Sequence, residues 1–149
     1  MRLVIQRVKK ASVRLASGEI VGEIGKGYLV LVGVKNGDNQ KDAEVLAEKL
    51  AKLRVMADEE GKMNLTVEDT KASILVVSQF TLYADTQKGN RPSFINAAEP
   101  KVARDIYEYF IKLLENKGLK VETGSFGDYM EISAELDGPV TILLENLLA

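Results

Sequence analysis

The fold is decided by one uninterrupted apolar run, Tyr28-Leu29-Val30-Leu31-Val32-Gly33-Val34. A short run of this kind, bounded by turns, is typical of a strand that is buried on both faces of a sheet. The turns are plain in the sequence, because Gly25-Lys26-Gly27 precedes the run and Asn36-Gly37-Asp38 follows it. We therefore predict a buried strand over residues 28–34.

The segments before this run predict a β-meander. Residues 2–8 are rich in Val and Ile, residues 12–15 alternate polar and apolar side chains, and residues 19–24 follow the turn at Ser17-Gly18. A second buried strand is predicted over residues 73–83, where the chain is again mostly apolar. Shorter strands are predicted at residues 54–56, 120–123, 129–135 and 140–144.

Two amphipathic helices complete the predicted fold. The first covers residues 39–53, where apolar side chains recur every three or four positions and Asp38 can cap the first turn. The second begins at Pro100, which suits a first helical turn, and ends at Gly118. Because two helices among many strands do not alternate with them, we expect a mixed α/β fold with largely antiparallel strands, not a doubly wound sheet.

The composition excludes several kinds of catalysis. The chain has 149 residues, which suits a single domain over residues 1–149, and it contains no histidine and no cysteine. A Ser-His-Asp triad, a thiol nucleophile and a His-containing zinc site are therefore excluded. Since no side chain has an ordinary pKa near neutrality, a catalytic acid or base would need a strongly shifted carboxylate, lysine or tyrosine.

Charge and hydropathy limit where the protein is expected to be located and which partners it is expected to bind. The net charge is -2, and the isoelectric point of about 5.3 lowers the odds of a broad nucleic-acid-binding surface, although a short stretch of RNA can still be gripped locally. No apolar leader or membrane span is visible, so we expect a cytoplasmic protein without a membrane partner. The acidic run Asp58-Glu59-Glu60 is typical of a solvated turn, and we expect no metal and no cofactor.

Ser78-Gln79-Phe80-Thr81 is the first segment that could carry chemistry. Polar side chains appear here at the end of a buried strand, where an unpaired polar group costs about 1–3 kcal/mol. Strand alternation would place Ser78 and Phe80 on one face and Gln79 and Thr81 on the other. Two explanations stay open: these groups line a site, or the strand is leaving the core and they pair with nearby backbone.

Asp137-Gly138-Pro139-Val140-Thr141 is the second such segment. A Gly-Pro pair before a strand is by default a turn, and cis bonds make up only about 5–6% of X–Pro bonds in folded proteins. Glycine also allows close approach to the backbone, and a cis bond would turn successive carbonyls in a shared direction, where they could bind an ammonium group. Spacing alone does not choose between these alternatives.

Several short motifs follow one another in a fixed order along almost the whole chain. They are Ile5-Gln6-Arg7-Val8 with Ala11-Ser12-Val13, Gly61-Lys62-Met63-Asn64, Ser78-Gln79-Phe80-Thr81-Leu82, Arg91-Pro92-Ser93-Phe94, Phe126-Gly127 with Met130, and Asp137-Gly138-Pro139-Val140-Thr141. Each motif is weak alone, but the ordered set closely resembles the D-aminoacyl-tRNA deacylase family, the proofreading enzymes that remove D-amino acids from tRNA.

The resemblance implies a homodimer of a small β-rich fold with two active sites at the subunit interface. Ser78, Gln79 and Thr81 of one subunit would line the pocket, and a Gly-cis-Pro pair of the other, Gly138-Pro139, would reach across. Phe80, Phe126 and Met130 would hold the terminal adenosine or line the pocket, and Arg7 would support the Gly-Pro loop. Thr141 matches the family's last motif. Leu136 stands at the position where that motif usually has Asn.

The implied activity is hydrolysis of the ester between a D-amino acid, or mischarged glycine, and the terminal ribose of tRNA. Backbone N–H groups near Phe80 and Thr81 would stabilise the oxyanion. The ester would be cleaved either by Thr81 as nucleophile or by water, with assistance from the RNA's own 2′-hydroxyl. Lys88 and Arg91 either contact RNA phosphates or are simply solvated. The alternatives are an esterase with Thr81 as nucleophile on other small esters, and a non-enzymatic dimeric binding module that uses the Gly138-Pro139 loop.

Overall fold

A mixed six-stranded sheet carries two helices on one face in the computed structural model, which describes residues 1–146. The sheet contains β1 (Arg2–Leu15), β2 (Ile20–Ile24), β3 (Gly27–Gly33), β6 (Ser73–Ser78), β7 (Lys120–Thr123) and β8 (Met130–Glu145). A separate hairpin is formed by β4 (Met56–Ala57) and β5 (Met63–Leu65), and the helices are α1 (Gln40–Lys52) and α2 (Pro100–Asn116). A short 3₁₀ helix, Phe80–Tyr83, follows β6, and we call it the 80–83 turn.

The strand order explains where a site can form. β1 pairs in antiparallel fashion with β3, β2 and β8, whereas β6 pairs in parallel with both β3 and β7. The predicted mixed α/β fold with two helices is therefore confirmed. Parallel strands bring their carboxyl ends to the same edge of a sheet, and here Val32 of β3 lies opposite Ser78 of β6.

The main core lies between the sheet and both helices. α1 contributes Ala43, Leu46, Ala47 and Leu50, which are fully buried because their spacing puts them on one face of the helix. β3 is buried along nearly its whole length, as predicted. A smaller apolar cluster on the opposite face, built from β1, β2, β3 and β6, closes the far side of the sheet.

The largest differences from the predicted elements concern three strands, β1, β6 and β8. β1 is one strand from Arg2 to Leu15, not two, and β8 runs continuously through the segment expected to be a turn at 137–139. These two long strands pair with each other, so tertiary hydrogen bonds carry them through polar residues that interrupt the local pattern. β6 ends at Ser78, not at residue 83, because the chain turns there into the 3₁₀ helix.

The first helix is capped by Asn39 and not by Asp38. The Asn39 side chain accepts the N–H of Lys41, while the Asp42 carboxylate accepts the N–H of Asn39, which together form a capping box. Asp38 accepts instead from the Lys35 N–H and pairs with the amino group of Met1 at 2.6 Å. Within residues 1–146, no helix is long and apolar enough to cross a membrane.

Candidate active site

A cleft of about 790 Å³ opens at the carboxyl ends of β3 and β6. Its floor is apolar, because Val32 and Val77 belong to the buried strands. The predicted site residues Ser78, Gln79 and Phe80 stand at its edge, and the predicted Phe126 and Met130 form a wall. The structure thus brings together two groups of residues that are more than forty positions apart in the sequence.

The end of β6 is fixed by one backbone hydrogen bond. The N–H of Gln79 donates to the carbonyl of Val32 at 2.8 Å, after which the chain leaves the sheet. Phe80 is consequently 55% exposed at the mouth of the cleft, while Thr81 is exposed but does not line it. The expected alternation of faces is therefore wrong: Gln79 and Phe80 both reach the cleft, and the Gln79 amide contacts the Thr81 hydroxyl.

Two backbone donors in the 80–83 turn are unused. As the first residues of a 3₁₀ helix, Phe80 and Thr81 have no intrahelical acceptor for their N–H groups, and neither N–H donates to another residue within 1–146. The following amides are engaged, since Leu82 donates to the Gln79 carbonyl at 3.3 Å and Ala84 donates to that of Thr81 at 3.1 Å. The turn therefore offers two adjacent N–H groups beside the cleft.

The Phe126 wall is held by α2. The ring of Phe126 lies 5.7 Å from the ring of Tyr107, and the guanidinium of Arg104 lies 5.0 Å from its centre. Tyr107 also donates its hydroxyl to the Val76 carbonyl at 2.9 Å, which ties the helix to β6. The thioether of Met130 accepts the Ser125 N–H at 3.3 Å and closes this wall.

The sequence motifs did not predict the other half of the cleft. Phe94 packs edge-on against Phe80, with ring centres 5.0 Å apart, and Asn36 donates its side-chain amide to the Ile95 carbonyl at 2.7 Å. Tyr129 stands at the rim and is 71% exposed. The available signal was position: Phe94 ends the Arg91-Pro92-Ser93-Phe94 motif, in which the sequence indicates a role only for Arg91.

A second group of predicted residues lies on β1 and β8, away from this cleft. Gly138-Pro139 is a cis peptide and is exposed, with a positive φ of 126° at Gly138. Arg7 donates from Nε to the Asp137 carbonyl at 3.1 Å and from Nη1 to the Val55 carbonyl at 2.8 Å. Thr141 donates its hydroxyl to Gln6 at 2.6 Å. Arg7 thus contacts the segment beside Gly138, but none of these residues lines the cleft of its own chain.

The one departure from the family pattern, and the two residues predicted to contact RNA or be solvated, can be placed in the structure. Leu136, which stands where the family usually has Asn, pairs with Val8 and is 47% exposed. Lys88 and Arg91 lie in a hairpin closed by backbone hydrogen bonds of 2.7 and 2.9 Å between Asp85 and Ser93. Both cations are exposed, and neither forms an ion pair within residues 1–146.

Comparison with known proteins agrees with the motifs. Residues 4–145 match the family model described as D-Tyr-tRNA(Tyr) deacylase. The chain belongs to this family. Curated relatives named D-aminoacyl-tRNA deacylase are 54% identical in Lactobacillus acidophilus, covering 97% of this chain and 99% of the relative, and 53% identical in Bacillus pumilus, covering 98% and 99%. The predicted resemblance and the predicted enzyme class, a hydrolase, are confirmed.

Solved structures show the same fold. One, titled c-Myc DNA Unwinding Element Binding Protein, superposes with a TM-score of 0.92 at 41% identity and covers 99% of this chain and 100% of its own. Another, described as a probable eukaryotic D-amino acid tRNA deacylase, superposes with a TM-score of 0.83 at 15% identity, covering 96% and 97%. At that low identity, the second likeness shows the fold alone.

Three buried tyrosines share one electrostatic property. Burial raises the pKa of Tyr28, beside Arg7, to about 12. Burial also raises the pKa of Tyr83, in the 80–83 turn, and of Tyr107, behind Phe126, well above the ordinary value. In each case the folded state favours the neutral phenol, because the phenolate would lose its hydration.

We expect these three of the five tyrosines to ionise only as the protein unfolds. A group whose pKa is raised by folding stabilises the folded state fully below its unfolded pKa of about 10, and this stabilisation is lost as the pH rises further. Tyrosinate absorbance and circular dichroism are followed together through an alkaline titration. The absorbance of these three tyrosines should appear in the same cooperative step in which the circular dichroism of the folded state is lost. Tyr107→Phe should remove about a third of that absorbance step. Titration of all tyrosines near pH 10 in the folded protein contradicts this expectation.

Proposed function

We propose that this chain hydrolyses the ester that joins a D-amino acid, or mischarged glycine, to the terminal ribose of tRNA. One observation carries the proposal: in a chain of this family, the cleft brings Ser78, Gln79 and Phe80 against Phe126 and Met130. We further propose that residues 1–149 act as a single deacylase domain. A cytoplasmic location, where charged tRNA is used, stays a prediction.

The chemistry proposed for the cleft is stabilisation of an oxyanion by backbone. An aminoacyl ester is already labile in water, so the enzyme must mainly orient the attacking group and stabilise the charge that develops on the carbonyl oxygen. The unused N–H groups of Phe80 and Thr81 are adjacent and beside the cleft, as such a role requires. One donor of this kind typically contributes about 10²–10³ in rate.

We favour the RNA 2′-hydroxyl, and not Thr81, as the group that assists the reaction. A threonine nucleophile needs a base to take its proton, and the chain contains no histidine. The side chain that contacts the Thr81 hydroxyl is the Gln79 amide, which is not basic in either orientation. Thr81 is also outside the lining of the cleft. These contacts support a route in which water attacks the ester and the RNA 2′-hydroxyl assists it.

The aromatic wall suits the terminal adenosine. A single-stranded RNA end is commonly held by stacking its bases on aromatic side chains, each worth about 1–3 kcal/mol. Phe126 packs against Tyr107 and Arg104, and Phe80 packs against Phe94, so the cleft offers supported aromatic surfaces. The exposed Lys88 and Arg91 hairpin follows the 80–83 turn directly, and we propose that it contacts acceptor-end phosphates.

The chiral filter is proposed to come from a second copy of the chain. Gly138 and Pro139 are exposed and lie outside the cleft of their own chain, while Arg7 holds the neighbouring Asp137. The outer side of β8 also exposes Leu136 and Leu143, apolar surface that a homodimer would cover. In the partner's cleft, the Gly138 and Pro139 carbonyls would bind the α-ammonium and occupy the position that an L side chain needs.

We expect the protein to release D-tyrosine from D-Tyr-tRNA at least about a hundredfold faster than L-tyrosine from L-Tyr-tRNA, since exclusion by backbone atoms acts as a steric filter. Release of labelled amino acid under single-turnover conditions measures both rates. Equal rates for the two substrates would show that the proposed function is wrong. Hydrolysis of simple small esters at rates comparable with D-Tyr-tRNA would favour the esterase alternative.

We expect Thr81→Ala to keep a deacylation rate within about threefold of wild type, whereas loss of a true nucleophile typically costs about 10⁴-fold or more. Thr81→Val, which keeps the shape of the side chain, is the matched control. The companion measurement uses D-Tyr-tRNA ending in 2′-deoxyadenosine, which should react far more slowly. A large loss in both Thr81 variants, with the deoxy substrate unaffected, contradicts the RNA-assisted route.

We expect two inactive variants to complement each other if the filter acts in trans. Gly138→Ala places a Cβ 2.8 Å from Val140 Cγ2 at a φ of 126°, which displaces the loop, and Gln79→Ala disables the cleft. When equal amounts are unfolded and refolded together, a two-fold dimer should recover about a quarter of wild-type activity. Gly18→Ala, at a φ of 92° with no atom within 4 Å, is the matched glycine control. No recovery at all contradicts a filter contributed by the partner.

A further inference from the structure

The 80–83 turn rests on one row of residues that crosses three neighbouring strands. In the sheet register, Arg2 of β1 lies opposite Gly33 of β3 on one side and opposite Glu145 of β8 on the other. Residues directly opposite each other in antiparallel strands point to the same face. The row therefore presents the Arg2 and Glu145 side chains, and the space above Gly33, to the same surface.

All three nitrogens of the Arg2 guanidinium donate hydrogen bonds. Nη1 donates to the Leu82 carbonyl at 2.5 Å, while Nε and Nη2 both donate to the Glu145 carboxylate, at 3.2 and 2.8 Å. The guanidinium also lies 4.7 Å from the centre of the Tyr83 ring. Glu145 thus fixes the direction of the side chain that holds the end of the turn.

Gly33 lets the turn approach the sheet closely. A Cβ at this position would lie 2.9 Å from Leu82 Cβ and 3.2 Å from Tyr83 Cε2, closer than real Cβ contacts normally come. The back of the turn is therefore in direct contact with the strand backbone. Its front carries the exposed Phe80 and Thr81, whose N–H groups have no acceptor within residues 1–146.

We infer that Arg2 is a positioning residue for deacylation: through the Leu82 carbonyl it holds the 80–83 turn, and with it the amides of Phe80 and Thr81, in place beside the cleft. This inference rests on the proposed function. The turn needs such a support because it is only four residues long, and runs of 3₁₀ helix have poorer hydrogen-bond geometry than an α-helix. Lysine cannot replace arginine here, since one ammonium does not supply the planar fork that reaches Leu82 and Glu145 together.

The experiment is steady-state kinetics of Arg2→Lys with D-Tyr-tRNA. We expect kcat to fall about tenfold while KM stays within about twofold, because a misplacement of about 1 Å in a reacting group can cost 10²-fold in rate without changing substrate binding. Arg14→Lys is the matched control: Arg14 lies on the same strand, is exposed, donates to the Gly18 carbonyl at 2.9 Å and does not line the cleft. This control should leave both constants unchanged.

A second variant perturbs the same turn from another side. Gly33→Ala should push on Leu82 and Tyr83 and produce the same fall in kcat with KM kept, so it gives the answer if Arg2→Lys does not fold. Unchanged kcat in the folded variants, or equal effects on kcat and KM, overturns the inference while leaving the proposed function intact. A wild-type protein that shows no preferential release of D-tyrosine overturns the proposed function, and the inference with it.

Discussion

The antiparallel pairing of β1 with β8 is the constraint on which the candidate functional elements depend. The two strands pair from Arg2 opposite Glu145 to Leu15 opposite Met130, with register shifts at Lys9 and at Arg7. The shift at Arg7 is the larger. There, the single residue between Gln6 and Val8 faces four residues, 137–140, so the Gly138-Pro139 segment must bulge outward. The same register places Glu145 beside Arg2. A shift by one residue would turn every side chain of β8 to the other face and would separate these groups.

The local part of the fold could be predicted from the sequence, because it depends on periodicity within one segment. The buried face of α1, the start of α2 at Pro100 and the buried strand over residues 28–34 all follow from spacing and turn residues. What could not be predicted depends on partners distant in the chain. The end of β6 is an example: Phe80–Tyr83 has the composition of a strand, but the Gln79–Val32 hydrogen bond is the last on that path and the chain then turns.

The residues of the candidate site also divide into those that the sequence predicts and those that it does not. Ser78, Gln79 and Gly138 stand out in the sequence because polar groups or Gly-Pro pairs interrupt apolar strands. Phe94 and Tyr129 do not, since a single aromatic residue in a loop carries no pattern, and their place in the cleft results from how loops meet at the ends of β3 and β6. The motifs therefore predicted the residues proposed for chemistry, whereas the rest of the cleft needed the tertiary structure.

The division of the motif residues into two groups bears directly on how a chain without histidine could be selective. One group lines the cleft, and the other, around Arg7 and Gly138, lies outside the cleft of the same chain. In the proposed dimer, main-chain carbonyls from one subunit meet main-chain N–H groups from the other. An arginine on β1 holds each of these two segments: Arg7 binds the Asp137 carbonyl, and Arg2 binds the Leu82 carbonyl. Backbone groups cannot be tuned by pKa, so their accuracy must come from position. Two arginines on one long strand are a physical means of supplying it.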